Sequence, residues 1–205
     1  MRCVIIGGAD INNYNEIQKH IKDDDFCIFC DSGLRHISGL KREPDLIIGD
    51  FDSHEKPVTD IETIILPREK DDTDTVYGVK EAVKRGYDDF LLIGVIGNRL
   101  DHSLVNVSAL NYLYENGKKG KIVDDYSEME IVAEETAKIT DDFSYFSLIN
   151  MFGESKGVTI KNAKFPLEDG IITSEYQYAT SNEVLKGHTA EVCVNKGKLL
   201  LIKVR

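Results

Sequence analysis

Three things are scarce in this chain of 205 residues: cysteine, basic charge and long apolar runs. Four cysteines are too few for a disulfide scaffold, which points to a reducing cytoplasm. Lys and Arg number 25 against 36 Asp and Glu, a formal charge of −11. Such an excess repels a phosphate backbone, because nucleic-acid binders need a basic stripe to displace counterions, so nucleic acid is not an expected partner. No acidic tail carries the charge: residues 1–121 hold 16 basic and 22 acidic side chains (−6), and residues 122–205 hold 9 and 14 (−5). No stretch approaches the ~20 apolar residues of a membrane span, and the amino terminus runs directly into the strand-like Cys3-Val4-Ile5-Ile6. Neither a membrane partner nor a signal peptide is expected. Internal repeats and low-complexity linkers are also missing.

What is present is a globular composition, 41% hydrophobic and 30% charged, long enough for one or two domains. Short apolar runs at 3–6, 26–30, 46–48, 63–66 and 90–96 lack polar alternation, as expected of strands covered on both faces. Helical patterns lie between and after them. One covers about 73–85, with Val76, Val79 and Val83 on one side and Gly86 to end it; another covers about 102–116, with Leu104, Val107, Leu110 and Tyr114 on one side and Gly117 after it. Alternating strands and helices imply a Rossmann-like α/β domain with a largely parallel sheet. From about Ile122 the pattern becomes short strands at 129–132, 143–149, 158–161, 190–194 and 199–204, with glycines between or beside them and no helical stripe. That reads as a C-terminal all-β sandwich. The expected division is 1–121 and 122–205. Cys27 and Cys30 have C-x-x-C spacing, but residues three apart on a strand face opposite ways, so both read as buried structural thiols.

In open α/β sheets, ligands bind in the loops leaving the carboxyl ends of the strands. Here those loops carry aspartate repeatedly: Cys30-Asp31-Ser32-Gly33, Gly49-Asp50-Phe51-Asp52-Ser53, Lys70-Asp71-Asp72-Thr73-Asp74 and Gly97-Asn98-Arg99-Leu100-Asp101-His102. Asp72 or Asp101 taken singly could be a helix cap. Four such loops together point to one site. Clustered carboxylates repel unless a cation joins them, and a hard divalent ion such as Mg²⁺ takes carboxylate, phosphate and water oxygens. No His/Cys set competes for a softer metal, since the five histidines are scattered. The implied chemistry is transfer of a phosphate-containing group.

The glycine fingerprints G-x-x-x-x-G-K-[ST] and G-x-G-x-x-G are both missing. A nucleotide would therefore be held by metal, helix amino termini and arginine. Arg99, in a turn before a helix, is the best cation for phosphate.

In this order and spacing the motifs resemble those of the thiamin pyrophosphokinases. They are Asp31-Ser32-Gly33, the run from Pro44 to Ser53, Asp72-Thr73-Asp74, the run from Gly94 to His102, and Ala179-Thr180-Ser181-Asn182-Glu183. The resemblance covers nearly the whole chain. It implies Mg²⁺-dependent transfer of pyrophosphate from ATP to the hydroxyl of thiamin, giving thiamin diphosphate and AMP. It also implies a homodimer with thiamin at the subunit interface. Carried over by motif, the metal ligands are Asp31, Asp50, Asp52 and Asp74, with Thr73 beside them. Arg99 and Asp101 face substrate and phosphate, and Ser181 and Asn182 contact the aminopyrimidine. Phe165 stands where the family often has a Trp that packs on thiamin; the chain has no Trp, so a smaller ring would do the stacking, unless Phe165 is a sandwich-core aromatic. His102 supports Asp101 or serves as a cap or packing residue. At the first loop the family commonly has Asp-Gly-Gly, where this chain has Asp31-Ser32-Gly33.

The implied mechanism is in-line attack of the thiamin hydroxyl on the β-phosphorus, with Asp101 or Asp72 accepting its proton. Another Mg²⁺-dependent phospho- or nucleotidyltransferase acting on a small alcohol would fit the aspartate loops equally well. A non-catalytic thiamin or nucleotide sensor is the alternative of another class.

Overall fold

The computed structural model describes residues 1–51, 59–69 and 71–205. Its contacts divide into two compact units, Met1–Asp125 and Tyr126–Arg205. In the first, strands β1 (Arg2–Ile6), β2 (Phe26–Cys30), β3 (Leu46–Gly49), β4 (Thr63–Ile65), β5 (Asp89–Ile93) and β6 (Lys119–Val123) run in the order β4-β3-β2-β1-β5-β6. Every pairing between them is parallel. Residues 3–6, 27–30 and 46–48 are all buried, as the unbroken apolar runs require when helices cover both faces.

Short helices α1 (Tyr14–Gln18) and α2 (Ile37–Leu40) follow β1 and β2, with a 3-10 turn, Asp31–His36, leading into α2. Longer helices α3 (Asp74–Lys84) and α4 (Leu100–Glu115) flank β5.

Three expectations shift. The strand expected to reach residue 96 ends at Ile93, because Gly94 takes φ +62 and turns the chain out. Residues 95–99 thereby become a loop. α4 buries Ser103, Asn106, Val107, Leu110 and Leu113, whereas Leu104 is 52% exposed. The buried stripe is rotated from the expected one because Ser103 and Asn106 turn inward to bond the 95–99 loop. The first unit also extends to Asp125 instead of Lys121: β6 pairs along its length with β5, and Ile122 and Val123 are fully buried.

The second unit is antiparallel. β7 (Ser127–Val132), β9 (Tyr145–Ile149) and β13 (Leu199–Val204) associate in the order β7-β13-β9, and β8 (Ala137–Thr140), β10 (Glu154–Lys161), β11 (Leu167–Thr173) and β12 (Thr189–Cys193) in the order β11-β10-β12-β8. Phe146, Leu148, Leu199 and Leu201 from the first group meet Ile139, Val158, Ile160, Ile172 and Val192 from the second in one core. This is the sandwich expected from the sequence. Cys3, Cys27 and Cys30 are buried free thiols. Among the described residues, no helix is long and apolar enough to cross a membrane.

Candidate active site

The carboxyl ends of β1, β2, β3 and β5 and the start of α3 surround a cleft of about 600 Å³ in the first unit. Asp31, Asp50, Thr73, Asp74, Arg99 and His102 all line it. Parallel register brings the first carboxylates together: Cys30 pairs with Ile48, so Asp31 and Gly49 come next on adjacent strands. A Cβ at Gly49 would stand 3.1 Å from the Asp31 Cα. Glycine there lets the two loops approach closely, with Asp50 emerging beside Asp31.

Asp31 takes a left-handed backbone, φ +43, and its Oδ1 is buried without a hydrogen-bond partner. A buried carboxylate oxygen with no donor is costly in an apolar setting, and strained backbone collects where a site over-determines it. Asp74 sits in the first turn of α3, whose start is fixed by the Thr73 Oγ1 accepting from the Val76 N–H at 3.3 Å. Its Oδ1 is likewise shielded from solvent. Burial above all, and next the charge of Asp74, push the Cys30 thiol well up, which favours its protonated form.

Arg99 N-caps α4 and reaches the cleft, and it is bonded at two points to Asp101. The Ser103 hydroxyl bonds Gly97 and Arg99, and the Asn106 amide donates to the Val95 carbonyl at 2.7 Å, which fixes the loop that carries Arg99. The amino termini of α3 and α4 both border the cleft, supplying the N–H groups and positive dipole ends that favour phosphate.

The remaining predicted residues are placed as follows. Asp101 is not part of the cleft lining. Asp72 is turned to Lys80, whose Nζ lies 2.8 and 2.6 Å from its two oxygens. Asp52 lies outside the described residues. In the second unit, Phe165 is 58% exposed and so is not a core aromatic. Ser181 is exposed with φ +53, its N–H donating to the Ser147 Oγ. Asn182 is 2% exposed, and its side chain is committed to the backbone of Phe165 and Glu183.

Sequence reasoning overlooked Asp10 and Arg35, which line the cleft as an ion pair at 2.5 Å. Asp31 directly follows β2, whereas Asp10 lies four residues beyond the end of β1 at Ile6, in the loop that leaves it, so the strand-exit argument carried along that whole loop would have found it. Arg35 carries no such signal, lying in the 3-10 turn behind Asp31.

The donors suit a hard cation: Asp31, Asp50 and Asp74 offer only carboxylate oxygen, and the Asp31 Oδ1 is unsatisfied. Among the described residues, no three His, Cys, Asp or Glu side chains draw close enough to cage an ion. A hard cation here would therefore draw on one or two carboxylates and complete its shell with phosphate and water oxygens.

A family model described as the catalytic domain of thiamin pyrophosphokinase matches residues 17–122, and one described as its vitamin B1 binding domain matches residues 129–199. The chain belongs to the thiamin pyrophosphokinase family. As a family member it is a thiamin diphosphokinase that forms thiamin diphosphate, with thiamin binding assigned to the second unit. The thiamine pyrophosphokinase of Bacillus subtilis (strain 168) is 24% identical over 207 residues, covering 97% of this chain and 96% of its own. Crystal structures of thiamin pyrophosphokinases share the fold. The Bacillus subtilis structure superposes with a TM-score of 0.86 at 22% identity, covering 100% of this chain and 99% of that one. The Candida albicans structure gives 0.78 at 12% identity, covering 100% and 89%.

Proposed function

We propose that the enzyme transfers pyrophosphate from ATP to the thiamin hydroxyl in a Mg²⁺-dependent reaction, releasing AMP. The observation that carries this reading is the convergence of Asp31, Asp50 and Asp74 on one cleft with Arg99 and two helix amino termini. Mg²⁺ bound there would polarise the phosphate oxygens and take up charge developing in the transition state. One or two of the carboxylates of Asp31, Asp50 and Asp74 would hold it, with Asp52 assigned by motif alone.

Arg99 neutralises phosphate oxygens through the guanidinium N–H groups that do not face Asp101. The helix amino termini orient the same anion. Asp72 and Asp101 are both engaged in ion pairs, so neither is poised as a strong base. A loose transition state demands little of one. Aligning the hydroxyl with the β-phosphorus is then the main work of the site.

The thiamin site, by this reading, comprises Phe165 and Ser181, and a homodimer places thiamin at the subunit interface. The acidic composition and few cysteines support a cytoplasmic setting, with no role for nucleic acid or membrane. The test is incubation with ATP, Mg²⁺ and thiamin. AMP formed in step with thiamin diphosphate is the expected result. ADP would indicate simple phosphoryl transfer to a small alcohol, and tight thiamin binding without product would indicate a sensor.

A further inference from the structure

Phe165 presents a large apolar ring to solvent while its backbone is gripped on both sides by one buried side chain. Its N–H donates to the Asn182 Oδ1 at 3.0 Å, and its carbonyl accepts from the Asn182 Nδ2 at 2.8 Å. The carboxamide thus replaces a strand residue, giving Phe165 the paired bonds of a ladder where none runs. The same Oδ1 accepts from the Glu183 N–H at 2.9 Å.

Asn182 is itself anchored. Its backbone exchanges two 2.8 Å hydrogen bonds with Phe146, a fully buried residue of β9. A rigid path therefore runs from the sandwich core through Asn182 to an exposed ring. Next to it, the Lys164 N–H donates to the Glu183 carbonyl at 2.9 Å, and the Lys164 Nζ pairs with Glu183 Oε1 at 2.7 Å. That ammonium lies over the Phe165 ring, 5.6 Å from its centroid, and the residue stays 58% exposed.

Ordering an exposed residue costs conformational entropy and returns little buried surface. A buried amide devoted to that purpose is explained by preorganisation for binding. We propose that Asn182 is a positioning residue that holds Phe165 as a fixed platform for a flat heteroaromatic ring of thiamin, acting through Phe165 and not by touching the ligand. The inference rests on the reading that Phe165 belongs to the thiamin site.

The chain has no tryptophan, so Phe165→Trp creates a single fluorescent reporter at the platform. Thiamin is expected to quench its emission. Adding Asn182→Asp keeps the acceptor for the Phe165 N–H but sets a carboxylate oxygen against the Phe165 carbonyl. Ring motion on the ps–ns scale should then lower the emission anisotropy of the ligand-free protein. Thiamin affinity should fall about tenfold, as for loss of one net hydrogen bond's worth of ordering. In a Phe165→Ala background, by calorimetry, Asn182→Asp should weaken thiamin by less than about twofold, because coupled residues are not additive. Circular dichroism checks the fold, and Asn182→Ser replaces the Asp variant if that fails to fold.

Emission blind to thiamin in Phe165→Trp overturns the thiamin reading of Phe165 and the proposal with it. A normal response with anisotropy and affinity unaltered by the Asn182 variants overturns the positioning role alone. So does a full tenfold loss in the Phe165→Ala background, which would mean direct contact.

Discussion

Arg99 and Asp101 face each other at the start of α4 in a two-point ion pair, Nε to Oδ1 at 3.0 Å and Nη2 to Oδ2 at 2.7 Å. Both side chains are about two-thirds exposed, so the pair adds little to stability. The Arg99 hydrogen bonds, above all, hold the Asp101 carboxyl well below the usual carboxylate range. A carboxylate so strongly favoured in its charged form is a poor proton acceptor. Steady-state kinetics with ATP and thiamin should therefore separate the two residues. Arg99→Gln is expected to lower kcat/KM by about 10²–10³, the scale of a lost charge-stabilising donor. Asp101→Asn should cost about tenfold or less, through looser placement of Arg99. Equal losses would instead assign Asp101 to proton transfer.

Asp31 offers a substitution that separates charge from conformation. Its left-handed backbone is one that asparagine also tolerates, so Asp31→Asn should leave the turn intact. The buried Oδ1 without a partner would simply lose its share of charge. Turnover should fall by about 10²–10³ while the thermal midpoint without ligands holds or rises. Wild type should gain thermal stability from Mg²⁺ with ATP, about 2.7 kcal/mol at a hundredfold excess over Kd. A variant that keeps both that gain and its turnover would remove Asp31 from the ligand set.

Much of this site can be read from sequence because the strand exits of a parallel sheet share one edge, so Asp31, Asp50 and Asp74 follow from where apolar runs stop. Thr73 came only with the family motif, and its role as the cap of α3 shows in the structure. What escaped depends on side-chain direction. Asp72 follows the same strand exit, but Lys80, two turns along α3, draws it into an ion pair. Asp10 and Arg35 meet only because the loops after β1 and β2 fold together. In α4 the expected apolar stripe overlooked Ser103 and Asn106, polar residues that bury themselves because a neighbouring loop needs their hydrogen bonds. Asn182 shows the same limit: the motif marks the residue, while only coordinates show that its amide serves Phe165.

Ser32, where the family commonly has glycine, is matched here by a small neighbour. A Cβ added at Gly8 would lie 1.8 Å from the Ser32 Oγ and 2.8 Å from its Cβ. Gly8→Ala should destabilise the protein by about 1–3 kcal/mol through overpacking. Ser32→Gly alone should be mild, and combining the two should recover most of the loss, since the clash is with the serine side chain. Denaturant melts of the four proteins check the cycle. A double variant no more stable than Gly8→Ala would locate the clash in the backbone.

Away from the cleft, Asp25 gives the first unit an acid-sensitive anchor. It is 4% exposed, accepts from Arg2 Nε at 2.9 Å and Nη2 at 2.5 Å, and takes the Lys22 N–H at 2.7 Å. Burial on its own would raise its pKa, but the Arg2 hydrogen bonds and the Lys22 N–H outweigh that, and the net shift is downward. A carboxyl with a depressed folded-state pKa contributes stability that is complete above its unfolded value of about 3.9 and is lost as pH falls through the folded one. Asp25→Asn should thus cost about 1.5–3 kcal/mol at pH 7, where the charged acceptor is intact. The gap from wild type should narrow as pH drops below about 4, because protonated Asp25 then resembles the amide. Urea melts of both proteins from pH 7 down to pH 3 measure it; a gap that stays constant would show that Asp25 anchors Arg2 by shape alone.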